Sequence, residues 1–378
     1  MKWCKSFFFV FCFVFASSGF AEPPKLDDLK KVMLFLKNEI NHDDEEISKG
    51  KYAAWSSWAE SNSYVSERSD FLWCDHVFGC WDFTEKTLTL DKCNDALQLF
   101  RRKQGVERWE KGSLSFVCEQ EKLTKLLDDV GVRAEISNIT DDGVKYDWAI
   151  IPGGALFRVK SRINCLSKLY KNQQVERFIM AGADRVLSEV DNKYELLSAM
   201  SNNKLGGIFY ALVEDDIHTE MDGMFFMAML MLTPKFDFSS MPSESAATWG
   251  NKVLRDVVLR AMPSRPKYCL SVNNLPANQM TMKISYAKRS DRGMATTKDN
   301  VAAICSDNPD IATKKLALLS TQPHAHYQEE MFKKEFNKVN DMKGVDITVL
   351  APPIDDRILL IDQLNALHQW LQESLSSS

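Results

Sequence analysis

The sequence predicts an α/β protein: an open, mostly parallel sheet with covering helices, preceded by a mostly helical N-terminal region. Three observations carry this. From Tyr146 onward, short apolar runs alternate with amphipathic stretches, the pattern of strands covered by helices. Two of those runs stop at turn-formers: WAII at Pro152-Gly153-Gly154, and LALL at Ser320-Thr321-Gln322-Pro323. Before Tyr146, apolar residues recur at helical spacing instead. Ligands of open α/β sheets sit beyond the carboxyl ends of the strands. The two strand ends are therefore expected to line one crevice.

The chain has 378 residues, 45% of them hydrophobic and 26% charged, with a net charge of -5. That is a globular composition with material for a large core. The charge gives no general attraction to nucleic acid, so a nucleic-acid partner is not expected. Lys2 and Lys5 precede an apolar run over residues 7–15, followed by Ser17, Ser18, Gly19 and Ala21. This reads as a signal peptide over residues 1–21 with cleavage after Ala21, leaving a periplasmic or secreted protein. The run is short for a bilayer span; an uncleaved signal is the one membrane attachment the sequence offers.

In the region 22–140, Leu26, Leu29, Val32, Leu34, Leu36 and Ile40 follow a helical stripe. Residues 41–46 form an acidic turn without calcium-loop spacing. Trp55, Trp58, Tyr64, Phe71, Trp73, Phe78, Trp81 and Phe83 crowd the next stretch. They read first as a small packed core and second as a platform for a glycan or a protein partner. Cys74, Cys80, Cys93 and Cys118 are the expected disulfide set, each bridge contributing about 2–4 kcal/mol. Cys165, Cys269 and Cys305 read as buried thiols. Cys74-Asp75-His76 with Cys80 lacks the spacing of a zinc site. Residues 93–102 and 119–130 read as helices, the second closed by Gly131. The polar stretch 137–145 is the expected boundary.

The α/β region, 141–378, starts with the strand at residues 148–151. Gly153 and Gly154 then permit either a backbone close to a ligand or a positive φ. A helix over 159–170 has Arg158 and Arg162 near its start. Helix N–H groups and two guanidiniums make an anion pocket; solvation or pairing with acids is the plainer use of those arginines. A second strand, 177–181, leads into Gly182-Ala183-Asp184-Arg185. Residues 189–210 read as polar, helical and then turn-like. Thr219 or Asp216 caps a helix from Glu220 to Leu232, too short to span a bilayer. Residues 243–258 become helical and 268–272 form a strand. The polar, basic stretch 279–299 reads as a hairpin insertion or a flap. Strands at 316–319 and 347–350, a closing helix at 359–371 and a frayed tail from Ser374 complete the chain. No Walker A loop, GxGxxG fingerprint or GxSxG elbow is present, so no cofactor is identified.

Several of these pieces, in order, resemble the YdcF/SanA/ElyC-type family of bacterial envelope proteins, the domain of unknown function 218. They are the strand and glycine loop to Gly154, Arg162, the strand ending at Gly182, Glu220, Ser245-x-x-Thr248-x-x-Asn251, and the strand leading to His326. Ala247 and Gly250 stand where the family carries an Asn and an acid, and Ala325 falls where it carries its His. The resemblance implies a Rossmann-like fold over about 146–370 and an envelope role.

Together these readings give an exported protein that binds a small anionic ligand, phosphorylated or nucleotide-like, at the strand edge. Gly153, Gly154, Arg158, Arg162, Gly182, Arg185, Thr248, Asn251, Thr321 and Gln322 are the expected contacts. His324 or His326 is the expected acid/base, since imidazole titrates near neutral pH, with Glu220 orienting it. No metal is expected. The alternative is a non-catalytic secreted protein that binds a partner through its aromatic N-terminal region.

Overall fold

A computed structural model describes residues 24–40, 84–100, 119–133, 135–136, 143–183, 185, 187, 219–232, 270–271, 281–287, 296–339, 343–354 and 358–377. The signal peptide, the aromatic cluster, Cys74, Cys80, Cys118, Cys269, Thr248, Asn251 and the helical stretches expected near 189–210 and 243–258 lie outside these residues.

The sheet has six strands: β1 (Trp148–Pro152), β2 (Arg177–Ala183), β3 (Leu270–Ser271), β4 (Thr281–Ala287), β5 (Lys315–Leu319) and β6 (Asp346–Leu350). Their order is β3-β4-β2-β1-β5-β6. All neighbours pair in parallel except the short edge strand β3. Taken without β3, the chain lays down β1, β2 and β4 outward to one side, then returns to place β5 and β6 on the other. This is the Rossmann-like, doubly wound order, and its topological switch point lies between β1 and β5. The register there is pinned at its base, where Lys315 N donates to Asp147 Oδ2 at 2.9 Å.

β1, β2 and β5 are buried on both faces because each face is covered. On one face Ala149, Ile151, Phe178 and Met180 pack with α4 (Leu156–Lys171) and α5 (Glu220–Leu232). On the other, Ile150, Ile179, Leu316 and Leu318 pack with α6 (Thr297–Asp307) and α7 (Ala325–Lys338). The buried runs of β1 and β5 are thus continuous rather than alternating, as parallel strands between two helix layers require.

The N-terminal helices α1 (Leu26–Ile40), α2 (Leu90–Leu97) and α3 (Gln120–Val130) form a further layer. Their core residues Leu29, Leu36, Leu97 and Leu127 cluster with Ile361, Leu364, Leu367 and Trp370 of α8 (Leu360–Ser377). The last helix of the chain therefore completes the core of the first region. Ile136 also bridges Ala351 just beyond β6, so the backbone crosses the boundary expected at 137–145.

Three expectations need correction. Residues 281–287 are neither hairpin insertion nor flap but β4, paired in parallel with β2 along its whole length. Ser285 and Ala287 of β4 are buried, and Asn308 Nδ2 donates to Ser285 Oγ at 2.8 Å. The tail does not fray at Ser374: α8 runs to Ser377, where Lys334 Nζ reaches Glu373 Oε2 and Ser376 Oγ, each at 2.8 Å. Cys93 leaves the disulfide set, because its thiol is free and buried in the helical core. Burial pushes it up to about 12. At the start of α7, His324 holds the N-cap position.

Candidate functional site

The β1 turn is built around two missing side chains. A Cβ on Gly153 would lie 1.9 Å from Glu220 Oε1 and 3.3 Å from the Cα of Gly182. One on Gly154 would lie 3.3 Å from Arg162 Nη1. Neither glycine has a positive φ. Both are needed for close approach, and what approaches is a carboxylate on one side and a guanidinium on the other. Gly182, at the end of β2, has a similar reason: its Cβ would stand 2.8 Å from Met224 Sδ, so α5 lies close against β2.

Glu220 is placed by the start of α5. Thr219 N donates to Asp222 Oδ2 at 2.8 Å and Asp222 N to Thr219 Oγ1 at 3.2 Å, a reciprocal cap. That fixes the helix start beside the β2 loop, where Glu220 N donates to Arg185 O at 2.8 Å. Arg185 Nε then donates to Glu220 Oε2 at 3.0 Å. The Glu220 carboxylate, 6% exposed, is thereby carried over Gly153 with its charge offset by Arg185.

Arg162 is a strut across the switch point. It is 1% exposed. Its Nη1 donates to the carbonyl oxygens of Pro152 and Gly153, the second at 2.8 Å, and its Nη2 to Thr321 Oγ1 at 3.1 Å. The turn after β1 is thus tied to the turn after β5 through one guanidinium. The two expected strand ends do meet, but Arg162 and Thr321 hold each other there.

Arg158 is different. It lies one helical turn earlier on the same face of α4, as the i, i+4 spacing dictates. It is 4% exposed, its guanidinium lies 5.5 Å from the Phe157 ring centroid, and its Nε has no hydrogen-bond partner among the described residues. Helical side chains lean toward the N-terminus, so this guanidinium sits beside the first turn of α4. Ala155 is the N-cap and provides no side-chain cap bond. Arg158 N and Val159 N donate to Ala155 O at 2.9 and 3.1 Å, so the N–H groups of Leu156 and Phe157 are the ones left without an acceptor within the helix. The helix dipole adds positive potential at the same place. The turn itself, Gly153 to Ala155, is only partly buried.

The β5 turn uses its polar groups internally. Ser320 Oγ donates to Gln328 Oε1, and Ser320 N to Leu350 O at 2.8 Å. Gln322 Nε2 donates to Gly131 O at 3.3 Å, toward the end of α3 and away from the strand edge. His324 is buried, and its backbone closes the turn: its N–H donates to Thr321 O at 3.0 Å and its carbonyl accepts from Gln328 N at 2.9 Å. His326 stacks on Trp370 of α8, ring centroids 4.1 Å apart and planes at 14°. Burial lowers its pKa to about 4, outweighing a hydrogen bond with Gly131 that raises it. His326 is therefore neutral at physiological pH and faces the helical layer. His324 is the histidine of this loop that stays at the strand end, through its backbone bond to Thr321.

Gly153, Gly154, Arg158, Arg162, Gly182, Arg185, Glu220, Thr321 and His324 thus gather at the ends of β1, β2 and β5. Gln322 and His326 turn away, and Thr248 and Asn251 lie outside the described residues. The strut role of Arg162 and the pairing of His326 with Trp370 had no local signal, since each partner is far away in sequence. Among the described residues no helix is long and apolar enough to cross a membrane. No protein-family model, curated protein or solved structure matches this chain.

Proposed function

We propose that this is an exported envelope protein of YdcF-like type that binds a small anionic ligand, phosphorylated or nucleotide-like, at the C-terminal edge of β1. The observation that carries the reading is Arg158. A guanidinium 4% exposed, with no carboxylate bound to it among the described residues, lies beside an uncapped helix start at a doubly wound switch point. Buried charges are ordinarily paired, and a bound anion supplies the partner. N–H groups at a helix start and a guanidinium are a matched donor set for phosphate or carboxylate oxygens. Arg162 supports the site by fixing the turn, and Glu220 with Arg185 forms its other wall. Where acid/base chemistry accompanies binding, His324 carries it, because the second imidazole is held neutral elsewhere.

The test is calorimetric titration of the mature protein with inorganic phosphate and with sugar phosphates. A saturable site is expected, with Arg158→Ala weakening it at least tenfold, about 1.4 kcal/mol. Unchanged affinity in that variant would place the anion elsewhere and remove this reading.

A further inference from the structure

Resting on the anion site proposed above, we infer that Thr321 is a positioning residue of that site: it holds Arg162 so that the carbonyl oxygens after β1 stay turned inward, which makes the turn selective for a dianion. A strand-end turn carries carbonyl oxygens as well as N–H groups. The oxygens are negative dipole ends and repel an anion, and the N–H groups attract it. Which of them a ligand meets depends on what holds the peptides. Here the Pro152 and Gly153 carbonyls both accept from Arg162 Nη1, the second at 2.8 Å. Arg162 is 1% exposed, so it holds them from within.

Planar peptides carry the consequence outward. The Gly153–Gly154 peptide is trans, so its C=O and its N–H lie on opposite sides of the chain. With Gly153 O held on the guanidinium, the N–H of Gly154 points away from it. Arg158 lies one turn earlier than Arg162 on the same face of α4, beside the first turn of that helix. The carbonyl oxygens are thus withdrawn from the end of α4 where Arg158 and the first N–H groups offer donors. Repulsion by a carbonyl dipole scales with the charge it meets, so a dianion gains more from this withdrawal than a monoanion does.

Thr321 enters because one nitrogen serves both carbonyls only while the guanidinium keeps its orientation. A guanidinium is a rigid planar fork, so fixing one arm fixes the other. Thr321 Oγ1 accepts from Nη2 at 3.1 Å. Thr321 is 5% exposed and follows β5, the strand across the switch point from the β1 turn. Its hydroxyl is neutral, so it fixes the guanidinium without adding a negative charge behind the anion. Thr321 therefore acts on a ligand through Arg162 rather than by touching it.

The experiment is calorimetric titration of the full mature chain at about pH 7.5 with methyl phosphate, mostly a dianion there, and with dimethyl phosphate, a monoanion. The wild type is expected to prefer methyl phosphate by about tenfold, the scale of one hydrogen bond to a charged group. Thr321→Val should weaken methyl phosphate about tenfold and dimethyl phosphate by no more than about twofold. Thr321→Ser keeps the hydroxyl and should restore both affinities to within about twofold of wild type. Thermal unfolding checks that each variant is folded, and Thr321→Ala replaces Thr321→Val if that variant is not. Equal weakening of the two ligands would make Thr321 a packing residue of the turn and overturn this inference. So would unchanged methyl phosphate binding in Thr321→Val, a serine variant that fails to restore it, or a wild type with no preference for the dianion. In each of those cases the anion site itself stands if Arg158→Ala loses binding. If the wild type binds neither ligand, the anion site fails and this inference falls with it.

Discussion

The turn after β1 and the turn after β5 have the same ancestry in the sheet and opposite uses. Both follow a buried parallel strand, both lead into a helix, and both border the switch point. The β5 turn has the chemically richer sequence, with hydroxyls, an amide and two histidines. Yet Ser320, Thr321 and Gln322 bond Gln328, Arg162 and Gly131, and His326 is stacked on Trp370. The β1 turn has almost no side chains, and it is partly open. Its chemistry comes from Glu220, Arg158 and Arg162, brought to it by neighbouring helices. A strand-end loop with many polar side chains is thus the anchored one here, and the loop with few side chains of its own is the partly open one.

The sharpest way to break this contrast is Trp370→Ala. Trp370 is 4% exposed and belongs to the core shared by α8 and the N-terminal helices. Its truncation is expected to cost about 3–5 kcal/mol in denaturant unfolding, because it removes core packing and the His326 stack together. Phosphate affinity of the folded fraction should stay within about twofold of wild type. A large loss of affinity at unchanged stability would show that the β5 turn, through His326, belongs to the ligand site after all.

Next in size is a pH effect. The folded pKa of His326, about 4, lies below the ordinary 6.5. The unfolded chain therefore takes up the proton first as pH falls. The stability contributed by the neutral imidazole is complete above about pH 6.5 and is lost as pH drops toward 4. Over that window the loss is at most about 3 kcal/mol. It should be visible as a slope in unfolding free energy against pH that flattens in His326→Gln. An unchanged slope in that variant would assign the effect to other groups.

The smallest expected stability effect belongs to the β1 turn. Gly153→Ala puts a methyl where Glu220 Oε1 stands. The carboxylate can swing aside but must strain its bond to Arg185, at a cost of about 1–2 kcal/mol. Phosphate affinity should fall at the same time, since the same turn carries the proposed anion site. A variant that binds phosphate as tightly as the wild type would reduce the β1 turn to a packing feature.

What the amino-acid order determined by itself was the set of strongly patterned elements. WAII, RFIMA, LALL and the run before Leu350 are apolar on both faces, so they had to become buried strands, and their spacing left room for covering helices. The paired glycines after β1, the arginines one turn apart on α4, and an acid at a helix start were also visible, because each depends on a few adjacent residues. β4 was not visible: it lies next to the short edge strand β3, carries small and polar residues, and is a strand only because β2 pairs with it. Nor could α8 be assigned to the N-terminal core, since that depends on apolar faces hundreds of residues apart finding one another. The same physics divided the site. Sequence supplied residue types with the right chemistry. Only tertiary packing decided that Arg162 would donate to two carbonyls and Thr321, that His326 would be desolvated against Trp370, and that Arg158 would be buried beside a helix start with no acid bound to it among the described residues.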